Sequence, residues 1–156
     1  MLRLTQKTQS AQTPSAQVVL PYEKRIKCRL RVTLDNGQDA GIFLARGEVL
    51  SDGDQLLADS GEIVRILAAE ETLSAVHCND AHLFARACYH LGNRHVPLEI
   101  QPRSLYYQHD HVLDDMLTGL GLSVSCVSRA FSPEPGAYGG SAEGHATHSH
   151  THGHAH

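Results

Sequence analysis

The stretch Thr72-Leu73-Ser74-Ala75-Val76-His77-Cys78-Asn79-Asp80-Ala81-His82-Leu83-Phe84-Ala85-Arg86-Ala87-Cys88-Tyr89-His90-Leu91-Gly92-Asn93 passes from a short apolar run into a helical period. Leu73–Cys78 reads as a strand. Asn79 or Asp80 supplies a helix N-cap, Ala81, Phe84, Ala85, Cys88 and Leu91 share one face, and Gly92-Asn93 supplies a left-handed stop. His95–Gln101 then alternates, with Val96, Leu98 and Ile100 on one side and His95, Pro97 and Glu99 on the other; Pro97 marks an edge strand. After a turn at Pro102-Arg103, Ser104–Gln108 makes a short strand. A second helix starts near Asp110 with Val112, Leu113, Met116, Leu117 and Leu120 as its apolar stripe, Gly119 and Gly121 end it, and Leu122–Ala130 forms the last strand. This βαββαβ order over residues 72–132 predicts a ferredoxin-like domain, with both helices on one face of an antiparallel sheet.

On the N-terminal side, residues 1–71 show no helical period and carry the turn signals Asp35-Asn36-Gly37, Ser51-Asp52-Gly53-Asp54 and Asp59-Ser60-Gly61, predicting a small all-β domain. Within it Lys24–Leu34 reads as one strand, with Lys27, Arg29 and Arg31 as a basic ladder on one face. Such a ladder either protects a solvated edge or docks an acidic partner. On the C-terminal side, Pro133-Glu134-Pro135-Gly136-Ala137-Tyr138-Gly139-Gly140-Ser141 has linker composition, and residues 133–156 are expected to be a disordered arm. The class is therefore α+β.

The chain's 156 residues exclude a large multidomain enzyme. With 41% hydrophobic residues but no Trp, three Phe and five Tyr, its cores are small. A net charge of −4 argues against a basic nucleic-acid binder. No export signal or apolar stretch long enough to span a bilayer is found, so the expectation is a cytosolic protein without a membrane partner. Cys28, Cys78, Cys88 and Cys126 form no C-x-x-C pair and are expected to be buried free thiols, Cys78 being the one nearest candidate ligands.

Histidine is the outlier, at 12 residues. His145, His148, His150, His152, His154 and His156 all lie beyond Gly144, separated by small residues that let successive imidazoles wrap one ion; the interleaving differs from the uninterrupted run of a purification tag. Neutral imidazole suits Ni, Zn, Cu and Fe alike, so composition does not name the metal. Tyr89-His90-Leu91-Gly92-Asn93-Arg94-His95 places His90 and His95 on opposite sides of a turn, where His90 complements the helix dipole or serves as a ligand. His109-Asp110-His111, if extended, directs both rings to one side, with Asp110 as helix cap or as the carboxylate that orients an imidazole. Asp114 and Asp115 are accounted for by the dipole of the second helix. No G-x-S-x-G, phosphate-binding glycine loop or H-E-x-x-H occurs, which leaves metal-dependent hydrolysis as the one enzyme reading beside metal handling.

The segments Ala87-Cys88-Tyr89-His90-Leu91-Gly92-Asn93-Arg94-His95-Val96-Pro97-Leu98 and Tyr107-Gln108-His109-Asp110-His111-Val112-Leu113-Asp114-Asp115-Met116, followed by the His-rich end, resemble the UreE family of urease accessory nickel metallochaperones. The resemblance implies a non-enzymatic homodimer in which His95 of each protomer binds a shared Ni(II) ion, with Zn(II) or Cu(II) as competitors. It further implies a peripheral site at His109 and His111, a tail that raises nickel capacity, and a first domain that binds peptides of urease apoprotein or of other accessory proteins, including a GTPase. The tail departs from the densest family versions in having spaced histidines. A zinc, copper or nickel buffer is the competing binding-class reading.

Overall fold

A computed structural model describes residues 1–137 of the chain. Its first half is a six-stranded sheet built from β1 (Leu2–Thr8), β2 (Ala16–Leu20), β3 (Arg29–Thr33), β4 (Asp39–Phe43), β5 (Gln55–Ala58) and β6 (Ile63–Ala68). The strands lie in the order β2-β6-β5-β1-β4-β3, with β1/β4 and β2/β6 parallel and the other pairs antiparallel. Alternate residues fill the core: Leu4, Ile42, Leu56 and Ile66 are fully enclosed, each contributing about 1.5–3 kcal/mol by leaving water. The turn at Asp35-Asn36-Gly37 works as its sequence demands, with Gly37 at φ 85°.

The first domain is built of strands as expected, and the departure from its reading is local. Tyr22–Arg25 forms a single helical turn, α1, so the strand read over Lys24–Leu34 is confined to Arg29–Thr33 and the basic ladder keeps Arg29 and Arg31 but loses Lys27. The cause is tertiary. Arg25 is only 2% exposed, and its guanidinium donates to the carbonyls of Leu20 and Leu50, both at 3.2 Å, and of Phe131. Burial lowers the Arg25 pKa, opposed by nearby Glu71 at 4.0 Å. Since Phe131 and Glu71 belong to the second half of the chain, this arginine ties the two halves together, helped by Tyr22 N–H donating to Glu71 at 2.9 Å and an edge-on contact of Tyr22 with Phe131.

The second sheet comprises β7 (Glu70–His77), β8 (Glu99–Gln101), β9 (Ser104–Gln108) and β10 (Val124–Ala130), crossed by α2 (Ala81–Asn93) and α3 (His111–Gly119). The order β10-β7-β9-β8, antiparallel throughout, is the ferredoxin-like arrangement expected, and β8 is an edge as Pro97 suggests. Asp80 caps α2 through the amides of His82 and Leu83, and Asp110 caps α3 through those of Val112 and Leu113. Both helices pack on the face carrying Val76, Cys78, Leu105 and Tyr107.

Four local expectations are corrected. Ala81 and Ala85 of α2 are exposed, while Ala87 and Leu91 carry its buried face; Val112 of α3 is likewise 52% exposed. Helix α2 runs through Gly92-Asn93 instead of stopping there. The strand expected from His95 is only Glu99–Gln101, and Leu98 and Glu99 are both buried, which breaks the alternation. The four cysteines are free, but Cys126 is exposed and only Cys78 is fully buried.

The chain does not become free at residue 133. Arg129 reaches over the Tyr106 ring, 3.9 Å from its centroid, to bond Glu99 at 2.8 Å; Ser132 N–H donates to the same carboxylate at 2.9 Å, and Glu134 N–H to Leu98 O at 2.8 Å. The end of the described chain is thus pinned across the face opposite the helices, next to β8. The expectation of disorder for the His-rich arm falls, from residue 138 onward, outside the described residues.

Candidate metal centre

His95 stands where α2 ends. Its amide donates to Gly92 O at 3.0 Å, Val96 N–H reaches back to Leu91 O at 3.3 Å, and His95 itself adopts φ 58°. These two bonds and one left-handed residue make a Schellman closure, completed by Val96 and Leu91 in the same apolar cluster. Glycine is the usual occupant of that position because a Cβ costs about 1–2 kcal/mol there. Here an exposed imidazole occupies it, and a strained residue held by its surroundings is a pointer to function. His90, half-buried in the last turn of α2, meets Tyr89 edge-on at 5.3 Å, while Tyr89 is 68% exposed.

His109 is held quite differently. Its Nδ1 lies 3.1 Å from Ser74 Oγ and 3.3 Å from Asp114 Oδ2. Ser74 donates its only hydroxyl proton to Asp114 Oδ1 at 2.6 Å, and the Tyr107 hydroxyl donates to the same oxygen. With its proton directed at Asp114, the serine oxygen must accept from His109 Nδ1–H, which leaves the lone pair on Nε2. That nitrogen belongs to a ring 45% exposed, so it can take a metal ion from solvent. Burial, reinforced by the bond to Asp114, raises the Tyr107 pKa well above its ordinary value, keeping the phenol a donor.

The carboxylate that orients His109 is therefore Asp114, whereas Asp110 serves as helix cap. Sequence reasoning missed Asp114, Ser74 and Tyr107. A signal was present in Ser74, a polar residue at the inward position of the strand series Ser74, Val76, Cys78, paired in register with Tyr107. His111 opens α3 and is exposed, so the extended H-x-H geometry expected to aim both rings one way stops at Asp110. Among the described residues, no three His, Cys, Asp or Glu side chains converge on a point that could hold a metal ion. His145, His148, His150, His152, His154 and His156 lie outside the described residues.

The family model for the UreE urease accessory protein N-terminal domain matches residues 2–69, and that for its C-terminal domain matches residues 71–156. The chain belongs to the UreE family. A urease accessory protein UreE of Pseudomonas putida is 56% identical over 140 residues, covering 88% of this chain and 86% of its own length. UreE of Alkalilimnicola ehrlichii is 54% identical, covering 90% of this chain and 86% of its own, and UreE of Citrobacter koseri is 48% identical over the full length of both. UreE proteins are urease accessory proteins rather than enzymes, which removes the hydrolase reading and assigns the chain to urease maturation. No helix among the described residues is long and apolar enough to cross a membrane.

Proposed function

We propose that this UreE protein is a cytoplasmic homodimeric metallochaperone that carries Ni(II) to apo-urease, with His95 of both protomers as the central ligands. The observation that carries the reading is the geometry of His95: an exposed imidazole in a left-handed position at a helix end, with too few neighbouring ligands among the described residues to complete a site. A second copy, or the tail, would supply the missing ligands. The pinned backbone at Glu134, bonded to Leu98, starts the tail only a few residues from His95. At about 3.3–3.6 Å per extended residue, the path from Glu134 to His145 is long enough to bring tail histidines to that end of the domain.

His109, with its tautomer set by Asp114, and His111 form a peripheral site; His90 and the tail histidines His145, His148, His150, His152, His154 and His156 add capacity. Zn(II) and Cu(II) compete for the same imidazoles. Few, exposed ligands allow stepwise exchange onto an acceptor, and the first domain docks urease or another accessory protein, including a GTPase. Affinity falls in acid, since only a neutral imidazole has the lone pair that binds a metal ion.

Nickel titration calorimetry with mass measurement tests the reading on the full chain, a form ending at Gly144, and that form carrying His95→Ala. A single tight ion per dimer that survives truncation and disappears with His95→Ala supports the shared site. Loss of all tight binding on truncation overturns it in favour of a tail-based metal buffer.

A further inference from the structure

We infer that the cleft between β2 and β3 is a docking slot for an extended peptide of alternating acidic and apolar residues, presented by a partner protein. The inference deepens, and rests on, the partner-docking role proposed for the first domain.

β2 and β3 are the two ends of the six-stranded sheet, each bonded to a neighbour on one side only. The sheet curls until these ends touch at a single point, where Asp35 N–H donates to Gln17 O at 2.9 Å and Gln17 N–H to Asp35 Oδ1 at 3.0 Å. Beyond it the edges part around a cleft of ≈ 320 Å³ that runs from Val18 and Val19 to Lys24 on one wall and from Leu30 to Thr33 on the other.

Ladder geometry fixes which backbone groups face this cleft. At the two ends of the β3/β4 ladder Leu34 N–H donates to Gln38 O and Leu44 N–H to Cys28 O, so the even residues of β3 point at β4, and the amides and carbonyls of Arg29, Arg31 and Thr33 point outward. On β2, Gln17 turns its groups toward β3, and Val19, two residues on, does the same. By the same alternation these groups on Val19, Arg31 and Thr33 fall outside the β6 and β4 ladders, and among the described residues no turn or loop backbone bond reaches them. Both walls thus offer unpaired ladders, and an inserted strand would run parallel to one and antiparallel to the other, closing the sheet.

The side chains specify the occupant. Val18, Leu20 and Val32 are buried beneath the cleft, so the inward residues of the guest meet an apolar floor. Arg29 and Arg31 stand exposed on the outer face, with Lys24 at the open end. Arg31 holds exposed Asp39 at 3.0 Å, while Arg29 and Lys24 have no carboxylate within ion-pair reach among the described residues. Outward residues of the guest therefore meet net positive charge, and acidic side chains complement it.

Fluorescence anisotropy of the full chain with a short labelled peptide alternating Asp and Val tests this. Three comparisons accompany it: a Lys/Val peptide, the Asp/Val peptide with alternate amides N-methylated, and the variants Arg29→Glu and Val19→Pro. Val19→Pro removes a slot donor without touching the β6 ladder, and Arg29→Glu, a surface change, keeps the test open if the proline variant fails to fold. Saturable binding of the Asp/Val peptide, weakened roughly tenfold or more in each comparison, is expected. Equal binding of the acidic and basic peptides, indifference to Arg29→Glu, or occupation of the slot by a second copy of the chain overturns it. Nickel titration of the same samples separates the two readings: peptide binding lost with nickel binding intact overturns the slot alone, whereas no tight ion in the unaltered chain overturns the metallochaperone alone.

Discussion

His95 donates its amide to Gly92 O at 3.0 Å while sitting at φ 58°, so a candidate ligand is also the residue that closes helix α2. The two roles make opposite demands. Closure prefers glycine, whereas a metal site requires the imidazole. His95→Gly should therefore raise the free energy of unfolding of the apoprotein by about 0.5–1 kcal/mol, read by urea titration, while abolishing tight nickel binding. His95→Ala should lose the metal without that gain. Equal stability of the two variants would remove the conformational strain from the account.

Asp114 sets the ring of His109, and Asp114→Asn tests how. The amide retains an oxygen for Ser74 and Tyr107 but presents N–H groups to His109 Nδ1, which drives the ring proton to Nε2, the atom facing solvent. Nickel affinity at the peripheral site should drop about 10–100-fold in the form ending at Gly144, with the His95 site unchanged. Calorimetry on that form measures both sites separately; an unchanged peripheral affinity would contradict the tautomer assignment.

Tyr107 provides a pH dependence with a definite sign. Its phenol is held protonated in the folded protein above the ordinary value of about 10, so in alkali the unfolded chain loses this proton first. The contribution is complete below about pH 10 and declines as pH climbs from there toward the raised folded value. Urea midpoints measured across that alkaline window should fall less steeply for Tyr107→Phe than for the parent chain. Parallel curves would mean that the phenol ionises alike in both states.

Arg25 ties the two sheets together from a buried position. Arg25→Met leaves the carbonyls of Leu50 and Phe131 without their donor, at about 1–3 kcal/mol for each buried group left unpaired, whereas Leu20 O keeps the Ala69 N–H at 2.9 Å. A loss of at least about 2 kcal/mol is expected, and calorimetric unfolding should separate into two transitions as the halves uncouple. A single transition with little loss would show that the remaining contacts carry the junction.

The order of the second domain is legible in the sequence because each element carries its own punctuation: Asp80 and Asp110 before the helices, Gly121 at φ 102° after the second, alternation along Ser104–Gln108. What escapes sequence reasoning is fixed by distant partners. Helix α1 forms because Arg25 is satisfied by residues as far away as Phe131, and no local pattern in Lys24–Leu34 announces it. His95 looks like the first residue of a strand since Val96, Leu98 and Ile100 alternate, yet the Schellman bonds to Leu91 and Gly92 claim the chain first. The candidate ligands His90, His95, His109 and His111 were visible by type and spacing. The groups that orient His109 were not, because Ser74 and Asp114 meet only when β7 and α3 pack together.

The bond from Arg25 to Phe131 spans 106 residues, and that separation has a meaning during synthesis. Every strand of the first sheet leaves the ribosome before Phe131 is made, so the sheet can assemble while its central cation still lacks one acceptor. Only when the last strand arrives does the arginine receive its final partner. The segment just beyond that strand leads to the histidines from His145 onward, so the first domain is fully locked only once synthesis has passed Phe131 and come close to that histidine-rich stretch.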